Sequence, residues 1–181
     1  IRLDPLYGDA YNNRGAAYQN MGQFKRALDD HTQAVKLDPR DAVARYNLAN
    51  DHQNLGNHQR AIVEYDETTK LNSRFTEAYT NRGVAYFNLG EYRRAIEDYN
   101  RALHIDPTRL DAYNNRGNAY QHLGDYGRAL EDHTIAIRLD PGDAVAYSNR
   151  GVAHLKLRKF EDAVEDYDKA IGLNPRVGEA Y

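Results

Sequence analysis

The chain has 181 residues, 41% of them apolar and 28% charged, which are proportions of a folded rather than a disordered protein. Its 24 Lys and Arg against 27 Asp and Glu leave a net charge of −3, with no electrostatic footprint for nucleic acid. The absence of cysteine excludes disulfides, thiolate metal sites and cysteine nucleophiles, and no apolar run approaches the ~18 residues of a membrane span.

The prolines stand at Pro5, Pro39, Pro107, Pro141 and Pro175, and each gap is 34 residues or twice that, the skipped beat falling at Ser73. With Gly8 as place 1 of a 34-place frame, the chain divides without insertion or deletion. Residues 1–7 match the tail of a preceding repeat. Five full repeats follow at 8–41, 42–75, 76–109, 110–143 and 144–177, and residues 178–181 match the head of another. Beginning at Ile1 rather than Met, the chain reads as a piece of a longer protein.

The first repeat shows the pattern that its successors restate. Tyr11, Gly15 and Tyr18 are spaced i, i+4, i+7, which predicts a first helix, A; Ala27, His31 and Ala34 have the same spacing and predict a second, B. Gly22, at place 15, suits the left-handed turn that ends helix A, and Asp38-Pro39 stops helix B. The second repeat departs most, with Arg45, Ala49, His52, Thr68 and Ser73 at pattern positions, and is expected to be the least stable. The third (Tyr79, Gly83, Tyr86, Gly90, Ala95, Ala102, Pro107) and fourth (Tyr113, Gly117, Tyr120, Gly124, Ala129, Ala136, Pro141) keep the pattern. The fifth changes place 15 to Arg158 and place 11 to His154.

These residues resemble the tetratricopeptide repeat over the whole chain. The resemblance implies an all-α fold: a right-handed α-α superhelix of antiparallel helix pairs, with helix A lining the concave surface. It also implies a protein or peptide partner. Two short helices cannot bury their apolar faces alone, so the repeats must stack.

Places 3, 4, 7, 8, 10, 11 and 14 of helix A form the arc expected to pack, Leu or Met at place 14 included. The opposite arc is rich in amides. Place 6 is Asn13, Asn47, Asn81, Asn115 and Asn149; place 5 adds Asn12 and Asn114, place 9 Asn50 and Asn118, place 12 Gln53 and Gln121 besides Gln19, and place 13 Asn88. Asn is a mediocre helix former, roughly 0.5–0.7 kcal/mol worse than Ala, so its recurrence asks for a reason. A carboxamide can bond both the N–H and the C=O of a peptide. With facing helices about 8–10 Å apart and an extended chain rising ~3.3 Å per residue, one Asn per repeat matches roughly every third ligand residue. The place-6 residue is similar to the asparagine ladder in the repeat superhelix of O-linked N-acetylglucosamine transferase. Hydrogen bonding within the stack, or inheritance from one ancestral repeat, is the other reading, although the drift of place 9 (Ala16, Asn50, Val84, Asn118, Val152) weakens the latter.

The family's clamp for chaperone C-terminal carboxylates implies Lys or Arg at places such as 2, 5 and 6. Here place 2 is Asp9, Val43, Glu77, Asp111, Val145 and Glu179, which points to a neutral or basic, extended partner. Arg14, Arg82, Arg116 and Arg150 at place 7 are expected to pair with the place-23 carboxylates Asp30, Glu64, Asp98, Asp132 and Asp166 in an architectural role, at ~0–1 kcal/mol each if partly exposed. The histidines at places 11 and 24 read as packing residues, and neither a cofactor nor a metal is expected. Phosphate-loop, G-x-S-x-G and H-E-x-x-H motifs are absent from the sequence, so no catalysis is expected of this segment. Uncapped solenoid ends would expose apolar stacking surface and invite self-association. The alternatives to a peptide groove are therefore assembly through the ends or convex face, or substrate selection for a larger enzyme.

Overall fold

The structure is a computed structural model describing residues 7–174. The flanking part-repeats, apart from Tyr7, lie outside the described residues, as do Pro175 and Glu179. Among the described residues the regular structure is entirely helical: α1 (Gly8–Asn20), α2 (Phe24–Leu37), α3 (Ala42–Asn54), α4 (His58–Leu71), α5 (Thr76–Asn88), α6 (Tyr92–Ile105), α7 (Leu110–His122), α8 (Tyr126–Leu139), α9 (Ala144–Lys156) and α10 (Phe160–Leu173). Odd-numbered helices are A and even-numbered helices are B.

Two local devices set this rhythm. After each A helix the chain turns through a left-handed residue at place 15: Gly22, Gly56, Gly90 and Gly124 at φ 68° to 77°, and Arg158 at φ 61°. After each of the first four B helices, the place-31 side chain accepts a backbone N–H two residues on. Asp38 takes that of Arg40, Asn72 that of Arg74, Asp106 that of Thr108 and Asp140 that of Gly142, at 2.8–3.0 Å. The turn at Asn72-Ser73 therefore forms without the proline. Place 14 departs from expectation. Met21, Leu89, Leu123 and Leu157, at the C-caps of their A helices, are 64%, 41%, 43% and 40% exposed, whereas Leu55 is half-buried.

The chain forms two compact bodies, divided between Gly90 and Glu91. In the first, successive helices pack from α1 to α5; α1 also touches α3 and α3 touches α5, whereas α2 and α4 do not meet. In the second, successive helices pack from α6 to α10, and α7 touches α9. The A helices are thus the closer-spaced row, on the inner side of each body.

Small residues let the helices approach. The place-3 and place-20 alanines Ala44, Ala61, Ala78, Ala95, Ala112, Ala129 and Ala146 are wholly buried. At place 8 a glycine backs onto the place-24 ring: a Cβ on Gly15 would lie 2.5 Å from His31, and one on Gly117 2.6 Å from His133. Burial pushes the hydroxyls of Tyr65 and Tyr99, also at place 24, well above the usual tyrosine range.

The arginine–carboxylate device recurs in register. Arg14 grips Asp30, Arg116 grips Asp132 and Arg150 grips Asp166, each with two hydrogen bonds of 2.6–2.9 Å. Each guanidinium also lies over the place-4 ring of its own repeat, Tyr11, Tyr113 or Tyr147, at 5.5–5.6 Å. The carboxylates are buried. Removing their arginines would strand a desolvated charge, an effect larger than the loss of a surface pair. The second repeat keeps the bond by moving it: place 7 is Leu48, and Arg45 from place 4 reaches the longer Glu64 at 2.9 Å. Arg82 extends to Asp66 and Thr69 on α4.

Candidate functional site: the inner face of the A helices

The amide-rich arc lies along α1, α3 and α5 in the first body and α7 and α9 in the second. At place 6, Asn13 is exposed and Asn47, Asn81, Asn115 and Asn149 are half-buried. Asn12, Asn50, Asn114, Asn118, Gln53 and Gln121 are also half-buried, and Asn88 is exposed.

These side chains do not share one role. In the first body most join neighbouring repeats. Asn47 donates to Asn12 Oδ1 at 2.9 Å. Asn81 donates to both the Tyr46 hydroxyl and Asn50 Oδ1 at 3.0 Å, and the same Asn50 oxygen accepts from Tyr65 at 2.6 Å. Gln19 reaches the Asn47 carbonyl at 3.1 Å, and its counterpart Gln121 in the second body reaches the Asn149 carbonyl at 2.8 Å. Gln19 and Gln121 at place 12 therefore join neighbouring repeats. Asn114 donates to Asp143 at 2.8 Å, next to the carboxylate oxygen that caps α9 by accepting from Val145 and Ala146. The Gln53 side-chain oxygen is buried without a partner. By contrast, among the described residues the side chains of Asn13, Asn88, Asn115, Asn118 and Asn149 make no hydrogen bond within the chain.

A network that the repeat pattern alone does not single out lies at the joint of the first two repeats. His31 on α2 and Asp51 on α3 are both wholly buried. Nδ1 of His31 donates to Asp51 at 2.5 Å and Nε2 faces the Asn12 carbonyl at 3.2 Å; Gln19 supplies Asp51 with a second donor at 2.7 Å. Both ring nitrogens face oxygen atoms of neighbouring residues. The signal was a single exception: Asp51 occupies place 10, where the other repeats carry Ala. His133, its equivalent in the fourth repeat, faces no such carboxylate. Gln121 donates to its Nε2 at 3.0 Å, which leaves the Nδ1 hydrogen for Asn114 Oδ1 at 3.4 Å. Burial pushes its pKa down to about 4, with Asp143 opposing and Arg150 reinforcing.

Along the same face Asp9 and Asp111 are both exposed, Asp111 being bonded by Arg109 at 2.7 Å. Among the described residues no helix is long and apolar enough to cross a membrane, and no cluster of three acidic or histidine side chains could hold a metal.

The tetratricopeptide repeat model matches residues 8–41, 76–109, 110–143 and 144–177. The chain belongs to the tetratricopeptide repeat family. The match passes over residues 42–75, the repeat that moves its arginine and buries Asp51. No curated protein sequence matches the chain. In structure it is similar to MamA (TM-score 0.83, 25% identity, 91% of this chain and 96% of the other) and to MamA 41-end from Desulfovibrio magneticus RS-1 (0.86, 21%, 93% and 95%). It is also similar to YrrB, described as a TPR protein with an unusual peptide-binding site (0.79, 23%, 97% and 90%). These likenesses establish an all-α repeat fold, and the family is one of protein-interaction scaffolds.

Proposed function

We propose that this tetratricopeptide array is a non-catalytic scaffold that holds an extended peptide segment against its A helices, with asparagine side chains bonding the peptide backbone. The observation that carries the reading is the row of half-buried carboxamides at place 6, some of them without partners in the chain. Such a group can donate to a carbonyl and accept from an N–H while ignoring the ligand's side chains. YrrB, similar in fold, is described as having a peptide-binding site of its own. The exposed Asp9, and the lack of cations at places 2, 5 and 6, favour a neutral or basic ligand over a terminal carboxylate. Selection of peptides from a random display library, followed by photo-crosslinking, tests this. Crosslinks should fall on α1, α3, α5, α7 and α9; failure to select any peptide, or crosslinks confined to the B helices, would refute it.

A second reading, self-association, draws on α10. Val164 and Ile171 are 58% and 52% exposed at places where earlier repeats bury Ile62, Ile96, Leu103 and Ile137. Light scattering over a wide concentration range should then show mass growing with concentration; a constant monomer mass excludes it.

A further inference from the structure

The asparagines of the two bodies differ in what they already hold. In the first body two of the three place-6 amides are engaged, Asn13 being the exception: Asn81 has committed both of its N–H bonds, and Asn47 one of its own. Their partners are an acceptor at place 5 of the repeat before, Asn12 or Tyr46, and one at place 9, Asn50. In the second body the corresponding acceptor at place 5 is taken. Asn114 gives its N–H to Asp143, and its oxygen faces His133. Asn149 is left with a complete set of two donors and two acceptors, as are Asn115 and Asn118, which stand three residues apart on one face of α7. The helices α7 and α9 touch, so these three carboxamides belong to one continuous inner surface.

We infer that the ladder is divided: Asn47 and Asn81 stitch repeats together, while Asn115, Asn118 and Asn149 contact the ligand through the amide backbone of an extended peptide. The inference rests on the groove reading above for its second half, and stands on intramolecular geometry for its first. A half-buried carboxamide already bonded to its neighbour must break that bond to engage a ligand, so it contributes little net affinity. One whose only alternative partner is water exchanges like for like while the peptide loses its freedom once, on the pre-arranged surface.

The test uses the full chain with two variants, Asn47→Ala/Asn81→Ala and Asn115→Ala/Asn118→Ala/Asn149→Ala. The probe is a fluorescein-labelled peptide selected from the display library on the wild type, together with its backbone N-methylated analogue. The triple variant should melt within about 2 °C of the wild type and bind the peptide about thirtyfold or more weakly, the equivalent of two or three lost hydrogen bonds. The double variant should melt about 4–8 °C lower and, below its melt, bind within about threefold of wild type. N-methylation should weaken binding to the wild type and have little effect on the triple variant. If the triple variant loses as much stability as the double, or the folded double variant is the one that loses affinity, the division is wrong although a groove remains. If the wild type selects no peptide, the groove reading fails and the ligand half of the inference with it; the melting temperatures still decide the stitching half.

Discussion

The buried pair of His31 and Asp51 offers the sharpest test of how these repeats are joined. Replacing His31 by Phe keeps a ring at place 24 but leaves the Asp51 carboxylate wholly buried with Gln19 as its remaining side-chain donor. A desolvated charge deprived of its partner typically costs 3–5 kcal/mol, so a loss of about 4 kcal/mol is expected. Replacing Asp51 by Ala is milder. It leaves the buried His31 ring with Nε2 still facing the Asn12 carbonyl and Nδ1 alone without a partner, for about 1–3 kcal/mol. The double variant gives the first joint an aromatic ring against alanine. The array itself uses that pairing, because Tyr or His at place 24 stands with Ala at place 10 in later repeats. It should recover to within about 1 kcal/mol of wild type, since an apolar replacement of both partners removes the desolvation along with the attraction. Hydrogen exchange of α2 and α3 is the appropriate assay, because a stack of repeats opens locally and a single melt averages over it. A double variant as unstable as His31→Phe alone would refute the reasoning.

Three further outcomes are expected. Burial keeps His133 neutral when folded, at a pKa of about 4, while the unfolded ring titrates near 6.5, so between those values the unfolded chain binds the extra proton. Stability should therefore fall as pH drops through that window, by up to roughly 3 kcal/mol. His133→Tyr should flatten the profile in melts taken across it; an unchanged slope would assign the acid sensitivity elsewhere. Arg158 holds φ 61° where the other repeats use glycine, so Arg158→Gly should stabilise the fifth repeat by about 0.5–1 kcal/mol in denaturant titration, the relief of left-handed strain offset by a looser unfolded chain. Residues 42–75 should exchange amide hydrogens fastest. The buried His52 Nδ1, Gln53 Oε1 and His58 Nδ1 in this repeat have no partner, each at about 1–3 kcal/mol; protection equal to that of residues 76–143 would contradict this.

The periodic features of this protein were legible residue by residue. A glycine every 34 places marks a left-handed turn because few other residues take that φ comfortably, and the Asp-Pro pairs mark helix ends through local bonding. Alanines at places 3 and 20 announce close helix contact because only small side chains permit it. Such signals are local, or repeat in register, so a one-dimensional reading captures them. What a side chain bonds to across the stack is different, because it depends on which partner the neighbouring repeat brings and at what angle. The run of asparagines looked uniform along the sequence. Tertiary packing divided it, committing Asn47 and Asn81 to acceptors 31 to 35 residues away and leaving Asn115 and Asn149 without such bonds. The same packing carried Arg45 to Glu64 and joined His31 to Asp51, two substitutions that the repeat pattern could register only as separate exceptions. A carboxamide or a carboxylate has no preferred place in a helix strong enough to fix its role; the geometry of the neighbouring repeat decides it.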